Sequence, residues 1–183
     1  FGNVGSWAAR FLVDAGATCR AVEDVTGAVF NRDGIDPSRL LEHARESGGV
    51  AGYQSAKAVD HREFLGTEAD VFIPAALENQ ITADTAPLLN CSLVVEAANG
   101  PTDGEGEEIM TSRSIEVLPD ILSNAGGVVV SYFEWLQNKR AEVWRLDEVE
   151  TKLERTMGES YERVTRAAND YQVDYRTAAY IVA

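Results

Sequence analysis

The stretch FGNVGSWAARFLVDAGATCRAVED, residues 1–24, decides the fold that this sequence predicts. Apolar residues recur at helical spacing from Val4 to Ala15, and Gly16 follows as a stop signal. The run ATCRAVED then has the composition of a strand and ends in two acids, Glu23 and Asp24. A glycine-bearing helix start, a helix and a strand ending in acids therefore follow one another within one short segment.

Three later apolar runs break into small or polar residues at their ends. They are ADVFIPAAL (69–77), SLVVEAANGP (92–101) and IEVLPD (115–120). Helical segments separate the strand-like runs, the clearest being PSRLLEHARES (37–47), for which Asp36 is a good start and Gly48 a stop. Short apolar strands between helices are typical of parallel strands buried on both faces. The sequence therefore predicts an α/β fold, a Rossmann-like, doubly wound and mainly parallel sheet that lacks its first strand, followed by C-terminal helices.

From Asn124 onward the pattern is helical only. Asn124 is predicted as the N-cap of a helix that runs through VVVSYFEWLQNKR to Arg140. Residues 146–171 have the apolar spacing of one long amphipathic helix, and YRTAAYIVA begins another. We expect residues 1–123 to form a dinucleotide-binding domain and 124–183 to be a helical segment of the same domain, each truncated at its outer end.

The charge balance is strongly acidic. With 30 acidic and 16 basic residues the formal net charge is −14, and three of the basic residues are lysines. Such a surface repels nucleic acid and anionic membranes, so neither is expected as a partner. Carboxylates spread along the whole chain suit a protein whose self-repulsion is screened by concentrated salt, which leads to the hypothesis of a halophilic source. No signal peptide or membrane span is recognisable, so a soluble cytoplasmic protein is expected.

No catalytic or metal-binding constellation is visible in the sequence. Cys19 and Cys91 lie in apolar stretches and are interpreted as small buried hydrophobes. His43 and His61 follow no strand and adjoin no nucleophile, which favours surface or structural roles. A carboxylate beside a loop, such as Glu96 or Asp120, is more often a cap than a catalyst.

The ends of the predicted strands are the places where an open α/β sheet binds ligands. Gly2 and Gly5 let backbone amides approach a pyrophosphate, although a glycine-containing helix start is also common without any ligand. Asp24 follows Gly5 by 19 residues, about where a carboxylate accepts adenosine ribose hydroxyls. Asn99 and Asn124 offer the paired donor and acceptor that a nicotinamide carboxamide needs, or they are turn formers and caps.

Taken together, FGNVG, ADVFIPAALENQIT, VVEAANGPT, VLPDILSNAGGVVVSYFEWLQN and RTAAYIVA resemble the cofactor-binding half of hexameric bacterial and archaeal glutamate dehydrogenases, from residue 1 to residue 183. The resemblance implies oxidative deamination of L-glutamate to 2-oxoglutarate and ammonia, with hydride transfer to NAD or NADP, and the reverse reaction in a homo-hexamer. The family's catalytic lysine and aspartate belong to a preceding substrate domain that is absent here. We therefore assign no catalytic residue and expect residues 1–183 alone to turn over no glutamate.

The resemblance also implies roles for individual residues. Cofactor binding falls to Phe1, Gly2, Asn3, Val4, Asp24, Ala75, Ala76, Asn99 and Asn124. Of these, the first four hold the pyrophosphate, Asp24 the adenosine ribose, the two alanines the cofactor through their backbone, and the asparagines the nicotinamide end. Substrate binding falls to Ser131, which meets the side-chain carboxylate of glutamate, and to Val128, which lines that pocket.

Two places depart from the family pattern. The segment DGEGEEI after AANGPT is interpreted as an acidic variation of a surface loop. The pair Glu23 and Asp24 is followed by Val25, without a serine or basic group for a 2′-phosphate, so NAD is expected over NADP, which remains the alternative.

Two other classes of function remain open from the sequence. The alternatives are another amino-acid dehydrogenase and a non-catalytic nucleotide-binding module. A strand ending in glycine is expected upstream of Phe1, as a complete fingerprint requires.

Overall fold

A computed structural model describes all residues, 1–183. The chain forms two compact units, Phe1–Glu116 and Val117–Ala183. The helices are α1 (Asn3–Asp14), α2 (Pro37–Ser47), α3 (His61–Leu65), α4 (Gly104–Ser112), α5 (Asp120–Ser123), α6 (Gly126–Arg140), α7 (Leu146–Tyr171) and α8 (Tyr175–Val182). The strands are β1 (Ala21–Asp24), β2 (Gly27–Phe30), β3 (Lys57–Val59), β4 (Val71–Phe72), β5 (Leu93–Val95) and β6 (Glu116–Leu118).

The first sheet of the Phe1–Glu116 unit is antiparallel, in the order β1-β2-β3. β1 and β2 form a tight hairpin in which Asp24 pairs with Gly27. Gly27 has φ 144°, a conformation that side chains disfavour, so glycine suits this turn. The short apolar run AVF, residues 28–30, therefore belongs to a strand of this sheet, where the sequence pattern predicted no strand.

One face of this sheet packs against α2 and the segment that follows it. The buried residues of this core are Val22, Val29, Ile35, Leu40, Val50 and Tyr53. The Asp36 carboxylate caps α2 by accepting from the backbone of Ser38 and Arg39, and Gly48 closes the helix with φ 86°. The predicted bounds and caps of this helix are confirmed.

The second sheet has the order β4-β5-β6, and β4 pairs in parallel with β5. The Glu116 backbone N–H donates to the Ser92 carbonyl at 2.9 Å, at the start of β6. These strands are two or three residues long, shorter than the apolar runs that predicted them. The parallel sheet, the intervening helices and the C-terminal helices confirm the predicted α/β class.

The acidic segment after AANGPT is a helix, so its interpretation as a loop was wrong. The Asp103 carboxylate caps α4 by accepting from the Gly106 N–H at 2.7 Å, and Glu105 and Glu107 lie in the first turn. Acids are favoured there because the helix dipole is positive at that end. Gly104 and Gly106 have low helix propensity and so argue against a helix at this point of the sequence. An Asp followed by acids is nevertheless a helix-start signal.

The Val117–Ala183 unit is helical apart from the end of β6. Its core is formed by Leu122, Val164, Ala167, Ala178 and Ala179. The long helix at 146–171 and the final helix are confirmed. None of the eight helices has both the length and the apolar composition that crossing a membrane requires.

The predicted N-cap role of Asn124 is wrong. Asn124 closes α5, since its backbone N–H donates to the Asp120 carbonyl at 3.0 Å. The residue before α6 is Ala125, which has φ −61° and ψ −18° and therefore already has helical geometry. The chain passes from α5 to α6 with no extended residue in which a side-chain cap forms.

Candidate functional site

The start of α1 is an open helix N-terminus. Gly2 occupies the N-cap position with φ −96° and ψ −159°, no side chain caps the helix, and its first turn contains no acid. Gly2, Asn3 and Val4 are exposed, and a Cβ built on Gly2 would meet nothing within 4 Å. Helix N-terminal amides with this access bind anions such as phosphate.

Two further loops join this helix start. A Cβ built on Gly5 would lie 3.6 Å from the Cβ of Ala75, so α1 runs beside the loop after β4. The Pro74 carbonyl in that loop accepts from the N–H groups of Ala97 and Ala98, at 3.1 and 2.9 Å, in the loop after β5. Ala76 and Asn99 are exposed on these two loops. The structure thus brings together the predicted residues of three separate sequence motifs.

The carboxyl end of β1 adjoins the same helix start. The nitrogen of Phe1 donates to the Glu23 carbonyl at 3.1 Å. The sequence placed the acidic pair 19 residues after Gly5, and the structure places it beside the FGNVG turn. The spatial relation that a ribose-binding carboxylate needs to a pyrophosphate-binding turn is therefore present.

The Asp24 carboxylate is held by hydrogen bonds within the chain. Oδ1 accepts from the N–H and hydroxyl of Thr26 at 2.8 and 2.6 Å, and Oδ2 accepts from the Val50 N–H at 3.0 Å. Partial burial alone would raise the pKa of Asp24, but these hydrogen bonds lower it below its ordinary value. Asp24 is thus a fixed, ionised carboxylate.

Glu23 has a different partner. Both of its carboxylate oxygens lie 3.0 Å from Nδ1 of His61, the first residue of α3. Because Glu23 and Asp24 are neighbours on a strand, their side chains leave opposite faces and meet different elements. The two acids that the sequence treated as one pair are held separately.

The predicted residues of the Val117–Ala183 unit lie at two places. Asn124 ends α5 and is partly buried, whereas Val128 and Ser131 are exposed on α6, three residues apart and so on one face. Asp120 pairs with Arg176 at 3.6 Å, which ties the start of α5 to the start of α8.

The remaining titratable groups have structural surroundings. Burial raises the pKa of the Cys19 thiol to about 11 and also raises that of Cys91, so both free cysteines are poor nucleophiles. Nε2 of His43 lies 3.0 Å from the Ala51 carbonyl. Glu96, at the end of β5, is fully buried. No group of three His, Cys, Asp or Glu side chains comes together in a way that could hold a metal ion.

Sequence reasoning did not find the partners of the acidic pair. Thr26 and Val50 fix Asp24, and His61 fixes Glu23. For Thr26 a signal existed, because an Asp followed two residues later by Thr and then Gly is typical of a side-chain-capped turn. Val50 and His61 lie 26 and 38 residues from their partners, beyond any local pattern.

These residues fit a dinucleotide. An uncapped helix start with space at Gly2 suits a pyrophosphate, and carboxylates at the end of the adjoining strand suit ribose hydroxyls. The fit concerns the Phe1–Glu116 unit, in which backbone N–H groups are the donors for the pyrophosphate and the strand-end carboxylate is the acceptor for the ribose hydroxyls.

Comparison with known proteins agrees with this geometry. Residues 1–183 match the sequence profile of the glutamate/leucine/phenylalanine/valine dehydrogenases. The chain is 43% identical over 182 residues to a cryptic catabolic NAD-specific glutamate dehydrogenase of Bacillus subtilis, covering 100% of this chain and 42% of the relative. It is also 43% identical over 185 residues to an NADP-specific glutamate dehydrogenase of Halobacterium salinarum, covering 100% and 44%.

Among solved structures, the hetero-hexameric glutamate dehydrogenase of Thermus thermophilus matches with a TM-score of 0.91 and 28% identity. The match covers 98% of this chain and 42% of the Thermus chain. The chain thus spans less than half the length of the relatives it matches.

Proposed function

The chain belongs to the glutamate/leucine/phenylalanine/valine dehydrogenase family, and from that premise we propose that it is the cofactor-binding part of a glutamate dehydrogenase. The reaction is the oxidative deamination of L-glutamate to 2-oxoglutarate and ammonia with NAD or NADP, and its reverse. The observation that carries the proposal is 43% identity over the full length of the chain to relatives named as glutamate dehydrogenases. Those relatives are more than twice as long, so the activity is proposed for the whole protein.

We assign the pyrophosphate to the backbone at Phe1, Gly2, Asn3 and Val4. The open N-terminus of α1 supports this, since unpaired amides and the helix dipole both favour an anion. Asp24 receives the adenosine ribose, and Ala75 and Ala76 contact the cofactor through their backbone, supported by the contact of the Ala75 loop with Gly5.

We assign the nicotinamide end of the cofactor to Asn99 and Asn124. Their amides donate and accept at once, as a carboxamide requires. The bound nicotinamide ring accepts the hydride from the substrate. Val128 and Ser131 contact glutamate, and the position of both on one exposed face of α6 supports a shared role. As domains, we propose 1–123 for dinucleotide binding and 124–183 as a helical segment of the same domain.

The choice of cofactor follows from the acids at the end of β1. The Asp24 carboxylate, whose Oδ2 lies 4.0 Å from the Phe1 nitrogen, repels a 2′-phosphate, which favours NAD, with NADP as the alternative. Relatives of equal identity are named for each cofactor, so identity does not separate them. We also propose a cytoplasmic homo-hexamer. The free thiols support the compartment, and the Thermus relative, a hetero-hexamer, supports six subunits but not their identity.

The test is a substrate and cofactor profile of the full-length enzyme. We expect the largest kcat/KM for L-glutamate among glutamate, leucine, phenylalanine and valine, and a larger kcat/KM for NAD than for NADP. A preference for an apolar amino acid would indicate another dehydrogenase of this family. Binding of NAD without turnover of any amino acid would indicate a nucleotide-binding module and contradict the proposal.

A further inference from the structure

Thr26 lies between the Asp24 carboxylate and the segment that follows α2. Its backbone N–H and its hydroxyl both donate to Oδ1 of Asp24, at 2.8 and 2.6 Å. The same hydroxyl oxygen accepts from the Ala51 N–H at 3.1 Å. Because an amide N–H can only donate, the single hydroxyl proton of Thr26 is directed at the carboxylate. The Thr26 side chain therefore links the backbone at Ala51 to Asp24.

The segment after α2 lies directly against Thr26. A Cβ built on Gly49 would lie 2.8 Å from the Cβ of Thr26, and closer still to its hydroxyl and methyl groups. Glycine at position 49 is therefore what allows the two segments to approach. The next N–H along the segment, that of Val50, donates to Oδ2 of Asp24 at 3.0 Å. Residues 49–51 thus contact both the carboxylate and the residue that orients it.

The hydrogen bonds leave the two oxygens of Asp24 in different states. Oδ1 accepts from two groups of Thr26, whereas Oδ2 accepts from the Val50 N–H. A carboxylate oxygen has about two acceptor positions, so Oδ1 is filled and Oδ2 can accept once more. Oδ2 is also the oxygen that lies 4.0 Å from the Phe1 nitrogen, and the Asp24 side chain is 13% exposed. Asp24 therefore offers one oxygen to a ligand hydroxyl beside the FGNVG turn.

From these contacts we propose that Thr26 is a positioning residue for the dinucleotide. Its hydroxyl holds the Asp24 carboxylate in the orientation in which Oδ2 accepts a hydroxyl of the adenosine ribose. Because the carboxylate is already fixed, binding does not require the side chain to be ordered first, and an entropic cost of binding is removed. The inference rests on the proposed function and adds to it the residue that orients the ribose-binding acid.

Thr26 can be replaced without disturbing the core of its unit. The residue is exposed and lies outside the buried cluster that β1 and β2 form with α2. Val has the same branched shape as Thr but no hydroxyl. In Thr26→Val the carboxylate keeps the hydrogen bonds from the backbone N–H groups of residue 26 and Val50. We expect this variant to fold normally and to leave the Asp24 side chain with more rotational freedom.

The test compares NAD with an NAD analogue that lacks both hydroxyls of the adenosine ribose. Dissociation constants for the full-length enzyme are determined by titration calorimetry for the wild type, Thr26→Val and Thr26→Ser. The Ser variant keeps the hydroxyl and is the conservative replacement. Thr67→Val is the matched control, because the Thr67 hydroxyl donates to the Glu63 carbonyl at 3.0 Å, at the end of α3.

We expect Thr26→Val to bind NAD about fivefold more weakly than the wild type, the effect of one side chain that must be ordered on binding. The analogue should bind to the wild type and to Thr26→Val with the same affinity, because it has no hydroxyl for Oδ2 of Asp24. Thr26→Ser and Thr67→Val should follow the wild type with both ligands. Equal weakening of NAD and analogue binding by Thr26→Val would indicate a merely structural role and overturn the inference. Unchanged NAD binding by Thr26→Val would overturn it as well.

A double replacement provides a second, independent test. Asp24→Ala should weaken NAD binding about tenfold, and the addition of Thr26→Val should weaken it no further, because Thr26 acts through Asp24. Further weakening by the second replacement would contradict the inference. A wild type that binds NAD no better than the analogue, or that binds only NADP, would also contradict it while leaving the proposed dehydrogenase function intact. Failure of the wild type to bind either dinucleotide would instead contradict the proposed function.

Discussion

The proposed site residues lie on different kinds of structure in the units Phe1–Glu116 and Val117–Ala183. In the first unit these residues lie on turns and strand ends, fixed by backbone hydrogen bonds and by close approach at glycines. In the second, Val128 and Ser131 project from a regular helix, and the unit's core comes from packed apolar side chains. The stability of the first unit should therefore depend most on backbone geometry, and the stability of the second on the volume of its core side chains.

The same two units also differ in their balance of acidic and basic residues. Residues 1–116 contain 19 acidic and 8 basic residues, whereas residues 117–183 contain 11 and 8. The second unit also has ion pairs at helical spacing, Glu148 with Lys152 and Arg155 with Glu159. Electrostatic repulsion is thus concentrated in the unit with the proposed dinucleotide site.

The largest expected effect is in the helical core. Leu122→Ala removes a buried side chain packed among the residues of α7 and α8, and should destabilise the second unit by about 3 kcal/mol through the cavity it leaves. Hydrogen exchange of the full-length protein would show faster exchange in α7 and α8. Leu146→Ala, at a side chain that is 73% exposed, is the control and should change little. Faster exchange only in residues 1–116 would contradict the assignment of this core.

A glycine tests the backbone geometry of the first unit. A Cβ on Gly106 would lie 2.6 Å from the Ile81 carbonyl oxygen, so Gly106→Ala should force α4 away from Ile81 and cost about 2 kcal/mol. Gly104→Ala, in the same helix with open space at its Cβ, is the matched control and should be neutral or slightly stabilising. Thermal unfolding and hydrogen exchange of 79–112 measure both. Equal stability of the two variants would mean that the close approach is not present.

A substitution at Ser131 tests the proposed substrate contact on α6. Ser131→Ala removes a hydroxyl proposed to donate to the glutamate side-chain carboxylate, so KM for glutamate should rise about tenfold while KM for NAD stays the same. Ser160→Ala on α7, whose hydroxyl donates to the Thr156 carbonyl, serves as the control in steady-state kinetics. Equal increases in both KM values would argue against the proposed role.

Two similar carboxylates, one in each unit, predict the response to acid. The pKa of Asp24 and that of Asp174 are both lowered, since hydrogen bonds from a nearby threonine outweigh the effect of burial. A lowered folded-state pKa means that the stabilisation is present above the unfolded value, near 3.9, and is lost as pH falls through the folded value. Both regions should therefore lose stability below about pH 4.

Replacement of each acid by Asn separates the two. Asp174→Asn keeps a good N-cap and should cost a few tenths of a kcal/mol at pH 7, whereas Asp24→Asn should cost about 1 kcal/mol because the Val50 N–H loses its acceptor. Only Asp24→Asn should also weaken NAD binding. The measurement is acid unfolding monitored by hydrogen exchange. If both variants kept the full wild-type sensitivity to pH, the attribution of the acid response to Asp24 and Asp174 would be wrong.

The smallest effect is expected from salt. Raising KCl from about 0.1 to 1 M shortens the screening length from about 10 to 3 Å, which should slow exchange in residues 1–116 more than in 117–183. The gain should be under about 1 kcal/mol. Sodium and potassium salts should act alike if screening is the cause. Stability that fails to rise with salt would remove the support for a halophilic source.

Local signals predicted the elements that depend on local interactions. The bounds of α2 follow from Asp36 and Gly48, which act within one turn, and α7 follows from its apolar spacing. The hairpin partner of β1 and the helix α4 were missed because the AVF run is short and the glycines in GEGEE have low helix propensity. At Asn124 the sequence indicated an N-cap, but Asn124 ends α5 and the following residue is already helical. The extended residue that an N-cap requires is therefore missing between α5 and α6.

The sequence by itself determined the α/β class, the family and the glycine and acid motifs, because these depend on residue types at short spacing. Tertiary structure alone decided which residues hold those motifs. The amide of Val50 holds Asp24, His61 holds Glu23, and the loops after β4 and β5 are joined through Pro74. These contacts join residues more than 20 positions apart, and only the folded backbone brings such donors and acceptors to distances of 2.9 to 3.1 Å.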